Sequence, residues 1–81
     1  MITLIIGFVG ASLILVAFIL NENKKWSDED LKYDLANCIG SLFLVIYGVL
    51  SKTWPFVVLN VVWFLVSLRD VVRSVKSGGN R

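Results

Sequence analysis

Three long stretches of this 81-residue chain carry no charged side chain: residues 1–21, 35–51 and 53–68. A soluble domain of this size meets water over most of its surface, so its helices need polar faces. The three stretches offer none, and the hydrophobic fraction of 57% exceeds the roughly 45–50% of ordinary soluble domains. We therefore predict a small, single-domain, all-α membrane protein.

Each uncharged stretch suits a membrane-spanning helix. Residues 2–20 make a helix of about 28 Å, close to the hydrocarbon thickness of about 30 Å. Ser27-Asp28-Glu29-Asp30 is typical of a capped helix start and predicts that the second helix begins near Ser27. Trp54-Pro55 predicts the start of the third helix, and Gly78-Gly79 its end. The predicted parts are spans 2–20, 31–50 and 54–72, a cytoplasmic loop 21–30 and a basic tail 73–81.

The distribution of lysine and arginine predicts the orientation of the chain. With three spans, the N-terminus and the turn at Lys52 lie on one side of the membrane. The first loop and the C-terminal tail lie on the other side, together with seven of the eight basic residues. Because basic loops stay in the cytoplasm, we expect an outside N-terminus and a cytoplasmic C-terminus in a multi-pass protein of a cell inner membrane.

The chain has few residues of the types that bind metals, form disulfides or catalyse proton transfer. The chain has no histidine and one cysteine, Cys38, so we expect neither a metal site nor a disulfide framework. The uncharged stretches contain no histidine, carboxylate or lysine for acid–base catalysis, so we expect neither an enzyme nor a cofactor. The acids of the first loop fit a solvated start of the second helix; they are Asp28, Glu29, Asp30 and Asp34.

Basic residues at the ends of the spans predict contact with lipid headgroups rather than with a specific ligand. Arg69, Arg73 and Lys76 recur at helical spacing and form a basic stripe at the cytoplasmic surface. Attraction to anionic lipid headgroups explains this stripe, and the placement of the basic residues does not favour nucleic-acid binding.

A few uncharged polar residues within the spans are candidates for function. Asn60 lies near the middle of the third span, beside Trp63, and an amide at this depth needs a partner. That partner is either a small polar ligand or a neighbouring helix. Asn37 and Ser41 lie near one face of the second helix. Small residues on the first helix, such as Gly7-x-x-x-Ala11, predict close helix packing within the protomer or between copies.

Two further residues have both a structural and a functional interpretation. Tyr47 lies toward the outer end of the second helix, where it is either a gate or an interfacial anchor. Asn21 lies at the inner end of the first helix, where a helix cap is the commoner role and a ligand contact the alternative.

The stretch Phe43 to Leu50, followed by Trp54-Pro55 and Leu59-Asn60-Val61-Val62, resembles the SemiSWEET branch of the PQ-loop (MtN3/saliva) transporters. The resemblance extends from about residue 6 to residue 75. It implies a parallel homodimer of three-helix protomers, six helices in all, with a small sugar-type solute on the dimer axis.

The resemblance also implies roles for individual residues. Asn60 matches the family's third-helix pocket asparagine and Tyr47 a tyrosine near its outer gate, while the family's helix-two tryptophan falls on Leu44. The family's proline-glutamine pair falls on Leu20-Asn21. The predicted solute-binding residues are Asn60, Trp63, Leu44, Ser41 and Asn37, and the predicted gate residues are Tyr47 and Asn21.

The sequence thus predicts a homodimeric transporter of a small neutral polar solute, with a central site near Asn60. Two alternatives remain open. One is a holin-like pore-forming protein, because three-span holins share the outside N-terminus and the basic cytoplasmic tail. The other is a non-transporting accessory membrane subunit, in which Asn60 only fastens helices together.

Overall fold

The structure is a computed structural model, and it describes residues 1–27 and 30–78. It contains three α-helices: α1 (Ile2–Glu22), α2 (Leu31–Ser51) and α3 (Trp54–Lys76). Each is long and apolar enough to cross a membrane, and the prediction of an all-helical chain with three such helices is confirmed. The helices follow from the apolar composition, since a spanning segment must satisfy its backbone hydrogen bonds internally.

The segment before α2 shows how that helix begins. Asp30 is the N-cap residue, but its side chain does not cap the helix; its Oδ2 instead accepts a hydrogen bond of 3.0 Å from the backbone N–H of Ser27. The helix therefore begins at Leu31, after the predicted start near Ser27. The predicted contributions of Asp28 and Glu29 lie outside the described residues.

A two-residue turn joins α2 to α3. Lys52 has a left-handed backbone (φ 58°), and the N–H groups of Lys52 and Thr53 donate to the carbonyls of Val49 and Gly48. Pro55 then occupies the first turn of α3, where its missing N–H removes no helical hydrogen bond. The short connection makes α2 and α3 antiparallel neighbours.

The middle helix holds the molecule together. In the described part of the chain, α2 packs against both α1 and α3, whereas α1 and α3 have no close backbone contact. The bundle measures 37 × 23 × 18 Å, and its long dimension is enough to cross a membrane. Because the two outer helices stay apart, a groove floored by α2 remains between them.

Close backbone approach joins α1 to α2. A Cβ atom on Gly10 would lie 2.8 Å from the carbonyl oxygen of Gly40, and one on Gly40 would lie 2.9 Å from the carbonyl oxygen of Gly10. A Cβ on Gly7 would lie 2.6 Å from the ring of Tyr47. At Gly10 the nearest atom belongs to the backbone, so only glycine fits there, whereas a Cβ on Gly7 would require the ring of Tyr47 to shift. Both glycines therefore pack within the protomer.

Polar residues line the contact between α2 and α3, which we call the polar seam. Its buried members are Asp34, Asn37 and Ser41 on α2, and Asn60, Ser67 and Ser74 on α3. The large apolar side chains mostly point outward, and only Ala17 and Cys38 are buried apolar residues among those that the structure describes. Polar groups inside and apolar groups outside are the arrangement that a hydrocarbon surrounding favours.

One expectation from the sequence is wrong. Asp34 was expected at a solvated helix start, but only 2% of its surface is exposed. The Oγ of Ser74 donates a hydrogen bond of 2.7 Å to Oδ2 of Asp34. The buried carboxylate has a partner on α3, which explains how it can lie inside the bundle.

Candidate solute-binding groove

A large hollow lies between α1 and α3, with α2 as its floor. Its volume is about 410 Å³, within the roughly 300–1,000 Å³ range of small-molecule sites, and one side is open. Its walls are mainly aliphatic and aromatic. The lining residues are Ala11, Ile14, Leu15 and Phe18 of α1, Tyr33, Asn37 and Leu44 of α2, and Trp63 of α3.

A second hollow, of about 230 Å³, continues this groove toward the α2–α3 turn. Both hollows are lined by Ala11 and Leu44, so they adjoin at these two side chains. The second hollow also contains Tyr47 and Phe56, whose rings meet edge to face with centroids 6.0 Å apart. The groove therefore ends at an aromatic pair that joins α2 to α3.

The principal polar feature of the groove is the pair formed by Asn37 and Trp63. The Nε1 of Trp63 donates to Oδ1 of Asn37 over 3.3 Å, and Nδ2 of Asn37 donates to the carbonyl of Tyr33 over 2.9 Å. Trp63 is 47% exposed, whereas Asn37 is buried. The amide therefore orients an indole ring whose exposed part faces the groove.

Three of the predicted solute-binding residues come together here. Trp63, Asn37 and Leu44 all line the larger hollow, and Tyr47, predicted as a gate, lines the smaller one. The helical spacing of Asn37 and Leu44 on α2 explains why both face the same groove.

Asn60 and Ser41 lie elsewhere in the structure. Asn60 is 5% exposed, and its Nδ2 donates to the carbonyl of Phe56 over 2.8 Å. Ser41 is fully buried, and its Oγ donates to the carbonyl of Cys38 over 3.0 Å. Both side chains point into the polar seam, and neither lines the two hollows of the groove.

Asn21, the other predicted gate residue, lies at the end of α1. The helix continues to Glu22 and its C-cap residue is Asn23, so Asn21 remains helical. Its Nδ2 donates to the carbonyl of Trp26 over 3.1 Å, which fastens the following loop to α1.

Comparison with known proteins assigns the chain to a family. Residues 3–78 match the model of a protein family of unknown function. The chain belongs to this family. The match covers nearly the whole of the three helices. Neither the curated proteins nor the solved structures contain a match to the chain.

Sequence reasoning missed a third, smaller cavity in the seam, far from the α2–α3 turn. It has a volume of about 110 Å³ and includes Asp34, Ser67 and Asp70 among its lining residues. The seven-residue spacing of Asn60, Ser67 and Ser74 was a signal in the sequence for a polar face on α3. Among the described residues, no group of three acidic, cysteine or histidine side chains is placed to hold a metal ion.

Proposed function

We propose that the protein is a membrane transporter of a small neutral polar solute, and that it acts as a parallel homodimer in a bacterial inner membrane. The observation that carries this proposal is the indole–amide pair of Trp63 and Asn37 in a mainly apolar groove of about 410 Å³. The resemblance of the sequence to the SemiSWEET transporters supports the same class of solute.

The chemistry of the pair suits a sugar or a similar polyol. An indole ring provides an apolar face for stacking against C–H groups and an N–H donor at its edge, and an amide provides both a donor and an acceptor. The 3.3 Å separation of Nε1 and Oδ1 is long for a hydrogen bond of this type. Solute hydroxyl groups can therefore replace it at little cost.

The open side of the groove supports the proposed dimer. A polar solute bound there in a single protomer would face hydrocarbon, where unsatisfied hydrogen-bonding groups cost several kcal/mol. A second copy placed across the groove would enclose the solute between two sets of Trp63 and Asn37. The positive-inside rule inserts every copy with the same orientation, N-terminus outside, so the dimer is parallel.

Within this proposal the other predicted residues have supporting roles. Tyr47 and Phe56 close the outer end of the groove. Asn60 and Ser41 are buried in the polar seam next to Trp63 and Asn37, where each donates a hydrogen bond to a carbonyl of its own helix. Asn21 fastens the cytoplasmic loop, and the basic residues of α3 contact anionic headgroups.

A non-transporting accessory subunit is the second candidate. It is favoured by the hydrogen bonds of Asn60, Ser41 and Ser74, which all lie within the protomer. In that case the polar seam serves assembly alone, and the partner covering the groove is another membrane protein.

Solute flux into liposomes separates the two candidates. Purified protein is reconstituted, and the uptake of a panel of radiolabelled neutral mono- and disaccharides is measured. We expect wild type to transport at least one sugar. Trp63→Ala should reduce that flux about tenfold or more, since the stacking face of the indole ring and its Nε1–H donor are lost together. The matched control is Trp54→Phe, because Trp54 is exposed at the start of α3 and lies outside the groove.

Two results would contradict transport. One is sugar uptake equal to that of protein-free liposomes across the panel. The other is equal loss of flux in Trp63→Ala and Trp54→Phe, which would indicate a general defect rather than a site. Recovery of the protein only within a larger complex would favour the accessory subunit.

A further inference from the structure

The small cavity between α2 and α3 is lined by oxygen-bearing side chains from both helices. These are Tyr33, Asp34 and Asn37 of α2, and Ser67 and Asp70 of α3; Trp63 and Val66 complete the lining. The cavity volume is about 110 Å³. Since a water molecule occupies about 30 Å³ in the liquid, this space holds one ion with a few waters.

A buried carboxylate forms part of the wall. Asp34 is almost fully enclosed and accepts the hydrogen bond from Ser74 described above. A negative charge within a membrane domain is expensive unless other groups compensate it. Asp70 brings a second carboxylate to the same cavity from α3.

Ser67 provides an independent indication of a ligand. It is only 6% exposed, it lines the cavity, and no hydrogen bond of its hydroxyl is found among the described residues. Every fully enclosed polar side-chain atom in the described part of the chain has a partner. The Ser67 hydroxyl is therefore reachable by a small ligand, and the cavity is where such a ligand would meet it.

Charge and donor type identify the ligand class. All the donors named above are oxygens, which hard cations prefer. The formal charges of Asp34 and Asp70, together with that of the Arg69 guanidinium 3.4 Å from Asp70, sum to one negative charge. A single net charge suits a monovalent ion, and no third acidic side chain joins these two among the described residues.

We propose that this cavity is a binding site for a monovalent metal cation such as Na⁺. The site requires neither a solute nor a second copy of the chain, so it stands apart from the function proposed above. Asn37 and Trp63 line both this cavity and the groove, so the two sites share a wall.

The test is a titration of the purified full-length protein in detergent micelles. Thermal unfolding is followed while NaCl replaces choline chloride at constant ionic strength. We expect the unfolding temperature of wild type to rise with Na⁺ and to saturate. Ser67→Ala removes one neutral ligand of the cation and should raise the half-saturating Na⁺ concentration about tenfold. Ser12→Ala is the matched control, because Ser12 is exposed on α1.

A second variant protects the test against loss of folding. Asp70 is partly exposed and close to the end of α3, so Asp70→Asn should fold and lose the saturable response to Na⁺. The proposal is overturned if NaCl and choline chloride have the same effect on wild type. It is equally overturned if Ser67→Ala and Asp70→Asn both respond to Na⁺ as wild type does.

Discussion

At the scale of single residues, the hydrogen bond between Ser74 and Asp34 is the contact least expected from the sequence. The two side chains are forty positions apart and meet at 2.7 Å in a buried setting. A hydrogen bond to a buried carboxylate is stronger than one between two neutral groups, because the acceptor is charged and shielded from water. Asp34 is thus part of the packing of α2 on α3.

Ser74→Ala should therefore destabilise the protein. Loss of a hydrogen bond to a charged group costs about 1.5–3 kcal/mol, and we expect a decrease in the free energy of unfolding of about 2 kcal/mol. The measurement is unfolding by sodium dodecyl sulfate in micelles, followed by circular dichroism. Ser77→Ala is the control, because Ser77 is exposed just beyond α3. Equal stability of Ser74→Ala and Ser77→Ala would show that the buried bond contributes nothing.

Trp63 and Asn60 lie on the same side of α3 but have different surroundings in the structure. Both lie on the side of α3 that the helical period assigns to the interior. Asn60 bonds to its own helix and is buried, whereas Trp63 reaches across to Asn37 and borders the groove. The length of the indole side chain accounts for this difference, since it extends past the seam that encloses the shorter amide.

At the scale of the helices, the crossing of α1 and α2 depends on Gly10 and Gly40. Each lies where a Cβ would come within 3 Å of the other residue's carbonyl oxygen. Backbone atoms cannot move aside as flexible side chains can, so any larger residue must separate the helices.

Gly10→Val should destabilise the protein by about 1–3 kcal/mol, the usual range for overpacking a close contact. The change is measured by the same detergent titration. Ser12→Val on the exposed surface of α1 is the matched control, since it introduces a β-branched residue into the same helix without a neighbour. A Gly10→Val protein as stable as Ser12→Val would mean that α1 does not pack on α2 as described.

At the scale of the whole molecule, the separation of α1 from α3 leaves the groove open. The proposed dimer places a second copy over this opening. Cys38 is buried in α2 and is unsuitable for cross-linking across it. Exposed groove residues of α1, such as Leu15 and Phe18, are better placed.

A cysteine in place of Leu15, in a Cys38→Ser background, should form a disulfide-linked dimer in native membranes upon mild oxidation. The physical reason is that side chains at the rim of two facing grooves come close together, whereas residues on the opposite side of the protomer do not. Val58→Cys is the control on the outer surface of α3. Cross-linking of Val58→Cys alone, or of neither variant, would contradict a dimer closed over the groove.

The sequence by itself determined that the chain has three helices able to cross a membrane, because hydrocarbon excludes charges over about twenty residues. Residues 1–21 have that length by themselves, and residues 35–51 and 53–68 reach it with a few flanking residues. It also indicated the α2–α3 turn, since proline and a short connection leave few alternatives. Helical periodicity placed Trp63 on the same side of the third helix as Asn60, and Asn37 on one face of the second helix, whereas Leu44 entered the predicted site through the resemblance to the SemiSWEET transporters.

Only the tertiary structure decided which surfaces meet. α1 is apolar on all sides, so its hydrophobic pattern does not select a packing face; the close approach of Gly10 to Gly40 does. The burial of Asp34 depends on Ser74, and the orientation of Trp63 depends on Asn37, both on other helices. The physical reason is common to all three. In a membrane, apolar surface has nearly the same free energy in contact with lipid as in contact with protein. Small residues and paired polar groups therefore determine how the helices assemble.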